Sequence, residues 1–323
     1  MSGRLRPNET DLARFIVNPR SAGGGTQSKL DDLKRSIDRY FVRSEVVVTE
    51  GPGHATELAR KAVDDGVDLV VAVGGDGTAS ETVAGLFQDG APRSTDISFT
   101  VVPAGTGSDF VRSLGMPNRL DDAVRLAAFG PDRLGDAVVQ EFIDHDGEDA
   151  QRVSINVTGF GMNGDTVQRA NKSSKRLGGT LTFFKATMGS FFSYRPAPVR
   201  ITWTDDDGAD GEWEGKLLSC FVANGAWCGG GMCVGPGGSL TDGAAELTII
   251  PELGTVRTLA LTPHLYRGTC AEVPGVVTSR IVSLRAESTT GSLVPVDVDG
   301  EQPGGLPLSI TILAKAVRLR GVW

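Results

Sequence analysis

Histidine is nearly absent from this chain: three in 323 residues. Metal chemistry built on imidazole needs clusters of that side chain, so the count argues against it. Cysteine is scarce as well. The four thiols, Cys220, Cys228, Cys233 and Cys270, all fall in the second half and form no C-x-x-C pair. They read as reduced structural thiols rather than as a zinc site. No uninterrupted apolar run approaches the roughly 18 residues that a membrane-spanning helix requires. The opening MSGRLRPNETDLARF lacks the apolar core of a secretory signal, so a cytoplasmic location is expected. Lysine supplies only eight of the 32 basic residues, and the formal net charge is −8. That balance speaks against nucleic acid as a partner.

What is present is ample apolar material, 40% of the chain, and a length that corresponds to about two domains. Residues 1–135 alternate strand and helix. Arg14–Val17 reads as a buried strand, followed by the loop NPRSAGGG and a helix whose apolar face is Leu30, Leu33, Ile37, Tyr40 and Phe41, with Ser28 and Asp31 as a capping box. Val46–Val48 is the next strand, and His54 to Asp65 a helix. Leu69–Val73 is continuous and apolar, as in a strand buried on both faces of a parallel sheet. A helix from about Thr78 to Phe87 and a strand over Phe99–Val102 complete the pattern. This βαβα order implies a doubly wound parallel sheet.

After about Asp136 the grammar changes to alternation and Asp-Gly turns. Val199–Trp203, the turn DDDGADG and Lys216–Ala223 read as a hairpin, and residues 136–323 as a mainly antiparallel β domain. Within it, 165–192 reads as helical. The last strand, about 308–319, is expected to pack back on the first domain.

The stretch VAVGGDGTAS, residues 71–80, ends a buried strand and opens a helix. Ligands bind open α/β sheets at that edge, where glycines let backbone N–H groups approach a phosphate. No GK[ST] follows and no G-x-G-x-x-G is present, so this is neither a P-loop nor a dinucleotide fingerprint. Without a lysine, neutralisation falls to N–H groups and a divalent cation, which Asp76 is placed to help hold. The next strand ends in VVPAGTGSDF, a second loop with glycine, threonine and aspartate at the same edge.

Taken together, NP-x-S at 18–21, GGDGT-x-x-E at 74–81, P-x-GTG-x-DF at 103–110, the segment VANGAWCGGGMCVGPGGSLTDGAAELTII and the terminal VDVDGE resemble the diacylglycerol kinase catalytic superfamily. That family includes sphingosine kinases and bacterial soluble lipid kinases. The resemblance implies a two-domain ATP-dependent kinase: an α/β domain at 1–135 that binds nucleotide, a β-rich acceptor and metal-binding domain at 136–323, and nucleotide bound between them. It implies ATP and Mg²⁺, with Asn18, Thr49, Gly74, Gly75, Asp76, Gly77, Thr78, Ser80, Gly105 and Thr106 at the nucleotide. It places Ser239, Asp242 and the carbonyl of Ala244 at a structural metal, and Glu301 as the base, with Asp109 the next candidate. Ser80 and Ser108 stand where the family usually has Asn, which leaves acceptor identity open. An NAD kinase-like enzyme and a catalytically silent nucleotide-binding regulator are the alternatives.

Thr166 to Trp203 contains no Asp or Glu but seven basic residues, interleaved with Phe183, Phe184, Phe191, Phe192 and Tyr194. Two readings stand: a surface that meets anionic headgroups, or an aromatic core beneath a solvated basic face. The expected partners are a lipid acceptor at the inner membrane surface, anionic membrane through 166–203, and a second copy of the chain in a homodimer.

Overall fold

The computed structural model describes residues 12–21, 26, 29–104, 109–172 and 193–322. The chain forms two compact units, one of residues 1–135 with 315–323 and one of residues 136–314.

In the first unit, β1 (Leu12–Val17) pairs parallel with β2 (Arg43–Val48) and β3 (Leu69–Gly74). Every residue of β3 is buried, as its uninterrupted apolar run requires when helices cover both faces. Between the strands lie α1 (Leu30–Tyr40), which buries Leu33 and Ile37, and α2 (His54–Asp64), which buries Ala55, Ala59 and Ala62. Lys29, rather than Ser28, is the N-cap of α1, and it makes no side-chain cap bond; Ser28 itself lies outside the described residues. The third helix, α3 (Asp76–Leu86), starts inside GGDGT, two residues before the expected Thr78. A two-residue hairpin, β4 (Phe87–Gln88) and β5 (Ala91–Pro92), leads to β6 (Ser98–Pro103), which runs parallel to β3 along its whole length. Two further helices, α4 (Asp109–Ser113) and α5 (Leu120–Phe129), follow. The doubly wound parallel sheet is therefore present.

Arg14 is the one charged residue inside β1. Its guanidinium is 2.7 Å from both Glu45 and Asp65, so a buried cation is paired on two sides.

The second unit is built from antiparallel pairs. Its strands are β7 (Asp132–Asp144), β8 (Asp149–Ser154), β9 (Val157–Gly161), β10 (Ala197–Asp205), β11 (Asp210–Ala223), β12 (Trp227–Cys228), β13 (Met232–Cys233), β14 (Ala245–Pro251), β15 (Val277–Ser288), β16 (Pro295–Val298) and β17 (Glu301–Arg320). β11 and β15 each change partner along their length, and β11 also pairs with β9 and β15 with β17. The first half of β11 pairs with β10 and the second with β14; β15 pairs first with β14 and then with β10. Alternate residues of these strands, including Val199, Ile201, Leu217, Leu247, Ile249, Ile281 and Ile310, fill one core. A second core around Leu218, Phe221, Val234 and Ile250 is covered by helical residues. Here α6 (Met162–Lys172) supplies Met162, and α7 (Thr255–Arg267) supplies Leu261 and Leu265. The expected helix at 165–192 is seen only as α6; residues 173–192 lie outside the described residues. No sequence pattern announced α7, because Pro263 inside it reads as a breaker.

β17 crosses from one unit to the other. Leu308 to Thr311 pair with β15 in the second unit, and Arg318 and Leu319 pair parallel with Ser98 and Phe99 of β6 in the first.

Candidate active site

In the first unit the chemistry-bearing loops leave the carboxyl ends of β1, β3 and β6. The Asn18 backbone N–H donates to Val73 O at 3.0 Å, extending the ladder past β1. Its side chain donates to Thr78 Oγ1 at 3.1 Å while its Oδ1 accepts the Arg20 N–H at 3.0 Å. Gly74, the last residue of β3, faces Thr78: a Cβ there would overlap the threonine hydroxyl and lie 2.7 Å from its Cβ. Only glycine lets Asn18 and Thr78 meet. Gly75 is the N-cap of α3 in extended conformation, and Asp76, Gly77 and Thr78 form its first turn. The N–H groups of a first turn lack intrahelical acceptors and favour an anion. A carboxylate among them repels a phosphate unless a cation intervenes, which gives Asp76 its interest.

Asp76 does a second thing that sequence reading missed. Its Oδ2 accepts the N–H of Asp109 at 3.1 Å and its Oδ1 that of Phe110 at 3.1 Å. The carboxylate thus ties the β3 loop to the start of α4, after the β6 loop. A carboxylate is also a ligand of the kind that hard divalent cations take. Gly105 and Thr106, with Ser108, lie outside the described residues. Thr49 is buried at the end of β2, its N–H on Val17 O at 2.9 Å. Ser80 is half-buried on α3. Glu81, the last residue of GGDGT-x-x-E, accepts the Ala55 N–H at 3.3 Å and joins α3 to the first turn of α2.

In the second unit, Asp242 follows Ser239 on the loop before β14. Its Oδ1 faces the Ala244 N–H at 3.4 Å, and its Oδ2 is 3.0 Å from the Arg280 guanidinium. Arg280 also holds Asp206 at 2.7 Å and stands 3.7 Å from Glu246. Burial pushes the Glu246 carboxyl above its ordinary value in spite of that arginine. Ser239, Asp242 and the Ala244 carbonyl offer oxygen donors of the kind hard divalent ions take, but Arg280 holds one Asp242 oxygen, so a cation there competes with it. Among the described residues no three His, Cys, Asp or Glu side chains converge as a ready metal cradle. Asp136, absent from the sequence expectations, organises this loop from below. It is fully buried, and its Oδ2 accepts the Gly243 N–H at 2.6 Å.

The DGE turn holds three carboxylates in five residues. Asp299 has a φ of 48° and pins the loop before β9, accepting the Val157 N–H at 2.9 Å and the Ile155 N–H at 3.3 Å. Glu301 is part-exposed and paired with Arg152. Asp297 is the third, and it was not singled out from sequence. Burial, with Asp299 and Glu301 nearby, pushes its carboxyl up to about 8, against a hydrogen bond from the Gly300 N–H at 2.9 Å. Glu301 is therefore open to a substrate once its ion pair parts; Asp299 is committed to the fold; Asp297 is largely protonated at neutral pH.

Of the basic stretch 166–203, two of the described arginines are neutralised within the fold. Arg169 is paired with Asp165 at 2.7 Å and Arg200 with Glu212 at 2.7 Å. The Tyr194 hydroxyl is pushed up to about 12 by burial, then by Asp165. Lys175, Arg176, Lys185 and the four phenylalanines lie outside the described residues.

Comparison with known proteins adds to this geometry. Residues 12–138 match the family model of the diacylglycerol kinase catalytic domain, and residues 156–321 that of the YegS C-terminal NAD kinase beta sandwich-like domain. The chain is 28% identical over 310 residues to the "Probable lipid kinase YegS-like" of Stenotrophomonas maltophilia, covering 95% of this chain and 94% of that one. It is 26% identical to the diacylglycerol kinase of Mycobacterium tuberculosis, covering 98% and 97%. A crystal structure of a diacylglycerol kinase from Bacillus anthracis superposes with a TM-score of 0.69 at 20% identity, covering 97% of each chain.

Proposed function

Because the chain belongs to the diacylglycerol kinase catalytic superfamily and is a kinase, we propose that it transfers the terminal phosphoryl group of ATP to a hydroxyl of a diacylglycerol-like lipid. The observation that carries this reading is the pair of loops at the carboxyl ends of adjacent parallel strands β3 and β6, cross-linked by Asp76. Two such edges side by side offer N–H donors and one carboxylate to a polyphosphate, with no lysine. Phosphoryl transfer asks mainly for positioning and charge neutralisation, and this arrangement serves both.

In the proposed mechanism Asn18, Thr49, Gly74, Gly75, Gly77, Thr78 and Ser80, with Gly105 and Thr106, line the nucleotide phosphates. Mg²⁺, when bound, neutralises phosphate charge; Asp76 is the group on this edge to hold it, directly or through water. Ser239, Asp242 and the Ala244 carbonyl are proposed to hold a second, structural cation once Arg280 turns aside. Glu301 takes the acceptor hydroxyl proton as the phosphoryl group transfers, after parting from Arg152. With Asp297 protonated and Asp299 committed to backbone N–H groups, Glu301 is the base of the turn.

Incubating the protein with labelled ATP, magnesium and a panel of lipids beside NAD tests the assignment. Label on a lipid is expected. Label on NAD alone overturns the reading in favour of an NAD kinase, and nucleotide binding without turnover in favour of a silent regulator.

A further inference from the structure

The exposed face of α7 is apolar, and nothing else in the described residues covers it. Val256 is 81% exposed, and Leu259 and Tyr266 are each 52% exposed; these are three of the eight large hydrophobic residues left in solvent among the described residues. At 100° per residue they fall with Pro263 on one arc, while Leu261 and Leu265 point the opposite way into the second core. A helix that is apolar on both faces is expected inside a protein, not on its surface.

The charge on the helix says what faces it. Between Glu252 and Glu272 there is no acidic residue, in a chain that carries 40 of them against 32 basic ones. Arg257 and Arg267 flank the apolar arc, both exposed and with no ion-pair partner among the described residues. Two unneutralised arginines beside valine, leucine and tyrosine complement one kind of surface, an anionic lipid interface. The apolar arc enters the acyl boundary, Tyr266 sits at headgroup level and the guanidinium groups meet phosphate.

We propose that α7 is the helix by which this protein docks on anionic membrane, lying in the plane of the interface along its 13 residues, about 20 Å. The purpose of such docking rests on the lipid-acceptor reading, but the binding is measurable without turnover. It also differs from the sequence expectation, which put membrane contact at 166–203.

The test is cosedimentation of the intact protein with vesicles of phosphatidylglycerol and phosphatidylcholine, against vesicles of phosphatidylcholine alone. Wild type is expected to bind the anionic vesicles, less so at high salt. Arg257→Gln with Arg267→Gln lowers partitioning about thirty-fold at low salt, roughly five-fold per arginine. Val256→Ser with Leu259→Ser, both exposed and so harmless to folding, lowers partitioning to either vesicle while Tm holds. Wild type that does not bind anionic vesicles overturns the proposal, as do variants that bind as well as wild type. A wild-type dimer that Val256→Ser with Leu259→Ser splits, with vesicle binding unchanged, assigns the face to a second copy instead. Docking without phosphoryl transfer keeps this proposal and sinks the kinase reading. Transfer to a short-chain, water-dispersed diacylglycerol without docking does the reverse.

Discussion

Asp76 carries two jobs, and substituting it separates them. Asp76→Asn removes the charge that a cation needs, so kcat is expected to fall at least a hundred-fold. The amide retains one acceptor oxygen and presents an NH₂ to the Asp109 or Phe110 N–H, so the start of α4 loosens by about 1–2 kcal/mol. Turnover and thermal unfolding followed by circular dichroism read the two effects independently. A loss of activity under threefold, below about 0.7 kcal/mol of barrier, removes Asp76 from the chemistry. Glu301 has one job in the proposed mechanism. Glu301→Gln keeps its size and hydrogen bonding but accepts no proton, so kcat falls by about 10²–10⁴ with the KM for ATP nearly unchanged. A raised KM with kcat intact makes Glu301 a binding residue and moves the base to Asp109.

At the scale of elements, the junction of β3 with α3 decides whether the nucleotide loop has its shape. Gly74→Ala drives a methyl into Thr78 and breaks the contact between Thr78 and Asn18. It is expected to cost about 1–3 kcal/mol of stability and to raise the KM for ATP more than it lowers kcat. Urea unfolding with initial-rate kinetics at varied ATP checks both; unchanged KM means that the junction does not touch nucleotide. The same junction shows how far local pattern reaches. The continuous run Leu69–Val73 announces a doubly buried strand, because parallel sheets admit no alternation. The start of α3 was misplaced by two residues, because glycines have little helix preference and Gly75 caps by its backbone. α7 went unread, since a proline within it, Pro263, lowers the helix preference of its segment.

For the molecule as a whole, stability should carry a mark of the DGE turn. Asp297 titrates at about 8 in the fold and near 4 when unfolded, so the native state binds the extra proton between those values. Its contribution is complete below about pH 4 and is lost as pH rises through 8. Asp297→Asn keeps an acceptor for Gly300 and does not titrate, so the variant is expected to lose about 4 kcal/mol less stability than wild type between pH 5 and pH 9. Urea midpoints at the two pH values measure this; equal slopes show that Asp297 is solvated. Asp132 acts with the opposite sign. Burial raises its carboxyl, but bonds from Arg320 and Ser98 outweigh that and hold it low, so its share is present above about pH 4 and fails in acid.

Sequence by itself determined the parallel α/β half, the antiparallel β half, the glycine loops and the family, because each rests on near-neighbour chemistry: apolar periodicity, turn residues and motif spacing. Tertiary structure alone decided which carboxylates are committed and which are free. Nothing local to VDVDGE distinguishes Asp299, spent on the N–H groups of Ile155 and Val157, from Glu301, paired with Arg152, or from Asp297, protonated by burial. Nothing near Asp242 announces Arg280, 38 residues away, nor anything in GGDGT the N–H groups of Asp109 and Phe110. The charge state and availability of an ionisable group depend on desolvation and on partners brought near by the fold, and those partners lie far off along the chain.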